Sequence, residues 1–418
     1  MQIWPDKLLS TNRSHAHVLT GITFMLLGSI VVFLEAKTNN PWPLTRYGLF
    51  FASFGFLSFG IWHGRRARGW SRGVGLTIAL FLIWHVASLL RAIPVLLEGQ
   101  YDYLYVKRLL SGGGLLVLIP FLITLEPSVE LFAMLMRYGL RMVVLGCLLL
   151  PMLFQLYPNT PGYGIEVITR LFIASGSLIL LTGYYQSRTV VSLVSMSFAA
   201  SIAILLVLAR RNMVVYFAAV VAFSVILELL NERRNLLITI VILLVLIFAI
   251  SLLGYTFRDD LALAVDRFSS GFESRNTVFD EFISDFDNSP ADWYVGRGLF
   301  GKYYSETTYS DANARSRDGI ESGYLTYILI GGWIQLGLII LVLMPAAARG
   351  LFGSRNTLCR ASGAIITVYF VDMIGYGLPD VHLKYVLVWL SAAACHSKEL
   401  RRMTDVDIRR VISRVPMW

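Results

Sequence analysis

Runs of about 20 apolar residues, each long enough to cross a bilayer as a helix, follow one another along almost the whole chain. They fall at 17–35, 46–62, 74–96, 109–125, 139–156, 167–186, 190–209, 213–230, 235–254, 322–344, 361–378 and 383–396. Little else fits such a pattern. Of the 418 residues 56% are hydrophobic and 15% charged, the balance of a polytopic membrane protein and not of a soluble domain. The expected fold is all-α, with about 12 transmembrane helices. It divides into residues 1–254 with nine spans, a large loop at 255–320 between the ninth and tenth, and 321–418 with the last three spans and a tail.

The loop carries twelve acidic and seven basic residues, more charge than a bilayer core tolerates, so it belongs in water beside the membrane. Its net charge is 7 minus 12, or −5. Against +9 for the whole chain, the remainder holds +14. That excess sits at helix ends, around Arg65, Arg66, Arg68 and Arg72, at Arg233 and Arg234, at 349–360 and in the tail from Lys398 to Arg414. Basic connections face the cytoplasm. Both termini are therefore expected inside a bacterial inner membrane and the loop in the periplasm, and the positive charge does not imply nucleic acid.

Glu126 to Glu130 opens a stretch with two readings: a surface helix leading into the fifth span, or, the favoured one, a helix whose Arg137 and Arg141 snorkel at the inner interface. The last span is short and contains Ser391 and His396. Gly112 to Gly114 suits a close helix contact better than a nucleotide loop. Cys147, Cys359 and Cys395 form neither a metal spacing nor an evident disulfide. No cleavable signal peptide is expected, because the polar N-terminus leads into a long helix without a small-residue cleavage site.

No phosphate-binding Gly-Lys-Ser/Thr loop and no His/Cys metal cluster occurs. Asp285 and Asp287 imitate a metal-holding acidic pair, but they lie where nucleotide sugars are absent. His85 fits a packed membrane histidine and His382 a solvated loop residue. The outer arginines are more informative. Arg170 has either Glu166, one turn away, or a phosphate as partner. Arg210 and Arg211 have no acidic neighbour in sequence, which favours a phosphate, and the planar guanidinium grips two oxygens at once.

Asp266, Arg267 and Phe268 begin a loop motif followed by Arg275 and by Tyr294-Val-Gly-Arg-Gly298. The next span opens Glu321-Ser-Gly-Tyr-Leu-Thr-Tyr327 and continues through Gly331-Gly332. In the order of these motifs and in topology the chain resembles the O-antigen polymerase and O-antigen ligase superfamily. The resemblance implies glycosyl transfer at the periplasmic face from a glycan on undecaprenyl diphosphate. It implies that Arg170 and Arg210 or Arg211 hold the diphosphate, and that Arg267, Arg275, Arg297 and Tyr324 contact the substrate. Glu321 stands where the ligase branch has histidine, and Ser322 where it has asparagine. That departure favours a polysaccharide polymerase; transfer to lipid A core by a ligase is the alternative, and a lipid-linked glycan flippase the rival from another class. A polysaccharide chain-length regulator is a partner the resemblance leaves open.

The chemistry follows from the compartment. A glycosyl group outside the cell must arrive activated, a lipid diphosphate is such a leaving group, and no energy cofactor or metal is required. Arginines neutralise the departing diphosphate while one base takes a proton from the attacking hydroxyl, with inversion at the anomeric carbon. Glu321 is the expected base, with Asp280, Glu281, Asp292 and His382 as rivals; a carboxylate in a first helical turn is also stabilised by the dipole alone. Trp293, Tyr294, Tyr303, Tyr304 and Tyr309 suit a sugar-stacking surface and an interfacial aromatic belt equally.

Overall fold

A computed structural model describes residues 12–38, 42–64, 72–91, 114–156, 161–207, 211–230, 277–299, 301–306, 316–317, 320, 322–375 and 381–415. The described residues are mostly helical. Six helices are long and apolar enough to cross a membrane, within Ser14–Val32, Leu44–Gly64, Val129–Leu150, Arg188–Leu206, Gly323–Phe352 and Thr357–Gly375, and shorter apolar helices accompany them. The chain is an all-α, multi-pass membrane protein. The ninth expected span, 235–254, lies outside the described residues.

Two compact units divide the chain. The first comprises residues 1–135, 345–363 and 379–418. In it α1 (Asn12–Thr38) and α2 (Pro43–Gly64) pair closely because glycine faces side chain along the contact: Gly21 against Leu57, Gly28 against Phe50, Gly60 against Val18. Beyond them come α3 (Arg72–Leu90), a single turn α4 (Gly114–Leu118) that tightens to a 3₁₀ segment at Ile119–Thr124, and the start of α5 (Val129–Leu156). Pro120 lies at the start of that 3₁₀ segment and cannot donate to an α-helical ladder.

The second unit comprises 136–344 and 364–378. Where one span is expected at 167–186, the helix is broken: α6 (Pro161–Leu171), a 3₁₀ turn at Ile173–Gly176, α7 (Ser177–Leu181) and a second 3₁₀ turn at Gly183–Tyr185. Close packing accompanies the break. A Cβ on Gly176 would sit 2.7 Å from Val194, and one on Gly139 would sit 2.6 Å from the Ser175 carbonyl. The long helices α8 (Arg188–Val207) and α9 (Arg211–Leu230) flank the broken one. Ser224 of α9 donates to the Leu180 carbonyl at 3.2 Å, and Tyr216 and Ser177 share a hydroxyl bond of 2.6 Å.

Of the two readings of 126–141, the separate surface helix is not formed. Residues 130–137 are the first half of a continuous α5, with Leu131, Phe132, Ala133, Leu135 and Met136 buried. The Ser128 hydroxyl accepts from the Leu131 amide at 3.1 Å and starts the helix. The acidic residues that suggest a surface location lie at the helix entrance, and the apolar side chains behind them decide burial.

The remaining elements are α10 (277–287), α11 (Pro290–Val295), a short antiparallel pair β1 (Tyr303–Tyr304) and β2 (Ser316–Arg317), α12 (Gly323–Phe352), α13 (Thr357–Gly375), α14 (Leu383–His396), α15 (Lys398–Arg402) and α16 (Asp405–Arg414). Every residue of α14 is buried, and Trp389 stacks on Phe81 of α3 at 5.1 Å.

Candidate functional site

The described part of the loop folds around aromatic rings and one arginine. Phe282 and Phe286, a turn apart on α10, stack at 4.3 Å, and Trp293 and Tyr303 meet them edge-on. Arg297 lies over the Phe286 ring at 4.6 Å. Its guanidinium donates to Asp292 at 2.7 Å, to the Lys302 carbonyl at 2.8 Å and to the Asp285 carboxylate. Burial alone would lower the pKa of Arg297, but the hydrogen bonds and charges of Asp292 and Asp285 outweigh it and raise it. The group stays charged throughout the physiological range. Arg297, expected at the substrate, is thus the hub of the loop's own core.

The loop acids are committed in the same way. Glu281 accepts from the Ser305 hydroxyl at 2.7 Å and the Glu306 amide at 3.1 Å, Asp285 from the Tyr304 amide at 3.0 Å, and Asp287 from the Trp293 indole at 3.0 Å. Among the described residues no group of three or more His, Cys, Asp or Glu side chains is placed to hold a metal ion. Asp280 is exposed.

This small core is fastened to the bundle by glycine. Helix α12 is interrupted at Gly331 and at Gly332, whose φ of 68° and ψ of −170° lie outside helical geometry. A break leaves the carbonyls of the preceding turn without their helical donors. The loop supplies two: the amide of Arg297 donates to Leu329 at 2.7 Å, and the amide of Gly298 to Ile330 at 2.9 Å. The backbones approach so closely that a Cβ on Gly332 would lie 2.0 Å from the Tyr294 carbonyl oxygen, and one on Gly296 (φ 67°) would lie 2.5 Å from the Gly331 nitrogen. Just past the break Trp333 stacks with Trp293 at 6.2 Å and 16°. Trp333 is 51% exposed and the neighbouring Tyr294 is 64% exposed.

Before the break, α12 is pinned by tyrosines. Tyr324, an expected substrate contact, donates to the Phe370 carbonyl at 2.9 Å, and Tyr327 shares a 2.7 Å hydroxyl bond with Tyr369. One turn along α13 from Tyr369 lies Asp372, only 2% exposed and within electrostatic reach of Tyr216. A carboxylate inside a membrane span is costly and marks function by default. Sequence reasoning missed it because Asp372 is a lone acid in an otherwise apolar run.

Arg170 stands at the end of α6, just before the 3₁₀ break, and donates to Glu166 at 2.6 Å as an i,i+4 ion pair. Arg211 is the first residue of α9. Arg210, Arg267, Arg275 and Glu321 lie outside the described residues. The structure therefore gathers Trp293, Tyr294 and Arg297 against residues 329–333, with Tyr324 two turns earlier on the same helix.

Several apolar helices define a multi-pass membrane protein, in which a small folded segment at 277–306 is joined to α12 by backbone hydrogen bonds. No protein-family model, no curated protein and no solved structure matches the chain.

Proposed function

We propose that the chain is an inner-membrane polysaccharide polymerase. It crosses the membrane twelve times with both termini in the cytoplasm and the loop in the periplasm. There it joins repeat units carried on undecaprenyl diphosphate by inverting, metal-independent glycosyl transfer. The observation that carries this reading is the junction of residues 294–298 with 329–332. It fixes a folded, charged segment on α12 two turns from Tyr324 and three residues beyond that from Glu321. A lipid-linked sugar needs such a place, with its tail in the bilayer and its reacting carbon outside.

In the reaction the acceptor hydroxyl oxygen forms a bond to the anomeric carbon as the bond from that carbon to the diphosphate oxygen breaks. Glu321 takes the hydroxyl proton, and the lipid diphosphate leaves with the electron pair. Arg170 and one of Arg210 and Arg211 neutralise it. Glu166 holds the Arg170 guanidinium ready and keeps it compensated while the site is empty. The stacked pair of half-buried Trp293 and exposed Trp333 offers a flat apolar surface to a sugar ring.

The test is the surface polysaccharide of a deletion strain. A single repeat unit on the lipid anchor, with the ladder gone, is the expected result. A full polymer retained on undecaprenyl diphosphate would identify a ligase, and loss of all periplasmic glycan a flippase.

A further inference from the structure

The tail after the last helix is built into the protein and not merely appended. Asn356 donates to the Leu400 carbonyl at 2.8 Å and the Met403 carbonyl at 3.1 Å, and the Arg355 amide donates to Arg401 at 3.0 Å. Asp405 accepts from the Thr357 amide at 2.7 Å and thereby caps α13 from across the chain, while Arg401 donates to the Gly353 carbonyl at 3.2 Å. All these partners lie between the end of α12 and the start of α13. Phe352, the last residue of α12, is 87% exposed. The tail is thus held beside the end of an apolar helix long enough to cross a membrane.

Its two faces differ. In α16 Ile408 is buried, and Val411, Ile412 and Val415 beside it are half-buried. Val406, Arg409, Arg410, Ser413 and Arg414 are exposed and recur at helical spacing, with Arg402 exposed in the preceding turn. Residues 398–414 hold six basic side chains against three acidic ones. Two of those acids are used locally, Asp405 on Thr357 and Asp407 in a capping box with Thr404.

We propose that the exposed face of residues 402–414 binds the anionic phospholipid headgroups of the cytoplasmic leaflet. Basic clusters beside a bilayer are attracted to such lipids, and the docking onto 353–357 places Arg402, Arg409, Arg410 and Arg414 in the headgroup layer with Val406 among them. This inference rests on the basic-inside orientation and not on the chemistry proposed above.

The full chain is reconstituted in nanodiscs of phosphatidylcholine, with or without phosphatidylglycerol, and amide exchange of 405–415 is followed by mass spectrometry. Exchange is expected to slow by about ten-fold when phosphatidylglycerol is present. The difference should vanish in the triple variant R409Q/R410Q/R414Q, while the 353–359 peptide exchanges as in wild type. Equal exchange of the wild type in the two lipid mixtures overturns the proposal, as does a triple variant that still responds. Should the triple variant lose its docking, seen as faster exchange of 353–359, salt decides with the wild type: the lipid-dependent slowing must fade between low salt and about 0.5 M, and slowing indifferent to salt overturns the proposal.

Discussion

The backbone amide of Arg297 donates to the carbonyl of Leu329 over 2.7 Å, joining the loop to a membrane helix without the use of any side chain. With the parallel bond from Gly298 to Ile330, this closes the gap left where α12 breaks. A side-chain contact could be re-made after substitution by rotation. A backbone contact at this range depends on the absence of a Cβ.

Gly332→Ala should therefore dislodge the loop. Its Cβ would collide with the Tyr294 carbonyl, and a backbone at φ 68° and ψ −170°, a region used almost only by glycine, adds about 1–3 kcal/mol of strain. Gly337→Ala, later on the same helix with nothing within 4 Å, should be neutral or slightly stabilising. Melting of the purified protein and protease cleavage within 277–306 separate the two; a Gly332→Ala protein as resistant as wild type would show that the junction is dispensable.

Arg170 and Glu166 can be told apart by function. Arg170→Lys keeps a charge but loses the fork, and is expected to abolish polymer while protein level is maintained. Glu166→Gln removes only the resting partner and should leave a ladder. Polymer profiles that fall equally in both variants would confine Arg170 to its ion pair.

At Glu321 the isosteric change to Gln should cost about 10²–10⁴ in rate, and Glu321→Asp should keep part of the activity. A purely helix-stabilising carboxylate would instead lose about 0.3–1 kcal/mol of stability with near-normal ladders. Turnover of lipid-linked repeat units and protein level, measured side by side, decide between them. Normal turnover in the Gln variant would move the search to Asp280 and His382, since Glu281 and Asp292 are already hydrogen-bonded within the loop.

The capping box at the tail gives a pH dependence of known sign. The Thr404 hydroxyl and amide hold Asp407 below the ordinary carboxylate range. A lowered folded-state pKa contributes stability above the unfolded value, near 3.9, and loses it as pH falls through the folded value. The difference in amide protection of α16 between wild type and Asp407→Asn should be constant from pH 7 to about pH 5 and shrink below about pH 4. A difference that grows on acidification would contradict the assignment.

The apolar runs made the six long apolar helices legible, because a bilayer demands length and hydrophobicity and both are written in composition. The acidic segment after residue 254 was legible as one too charged for a bilayer core. The two glycine motifs, at 296–298 and 331–332, were each visible in sequence, but glycine carries no side chain that names its partner, so their interlock was not. Nor was the break in 161–186 visible, since a broken and a continuous apolar helix have the same composition. Asp372 was hidden by the same averaging, and the role of Arg297 depended on Asp285 and Asp292 being brought to it by the fold of α10 and α11.

Helix α14 is about 21 Å long, shorter than the roughly 30 Å of hydrocarbon, and it buries Lys384, Ser391 and His396 along with its apolar residues. Such a segment would leave the translocon at a loss if it met lipid alone. Its shelter is Phe81 of α3 and the 3₁₀ segment at Ile119–Thr124, together with Ser29, which donates to the Val381 carbonyl at 3.2 Å; these sheltering residues leave the ribosome well before α14. The order of synthesis therefore suits the order of assembly: the cradle is made before the short helix it encloses.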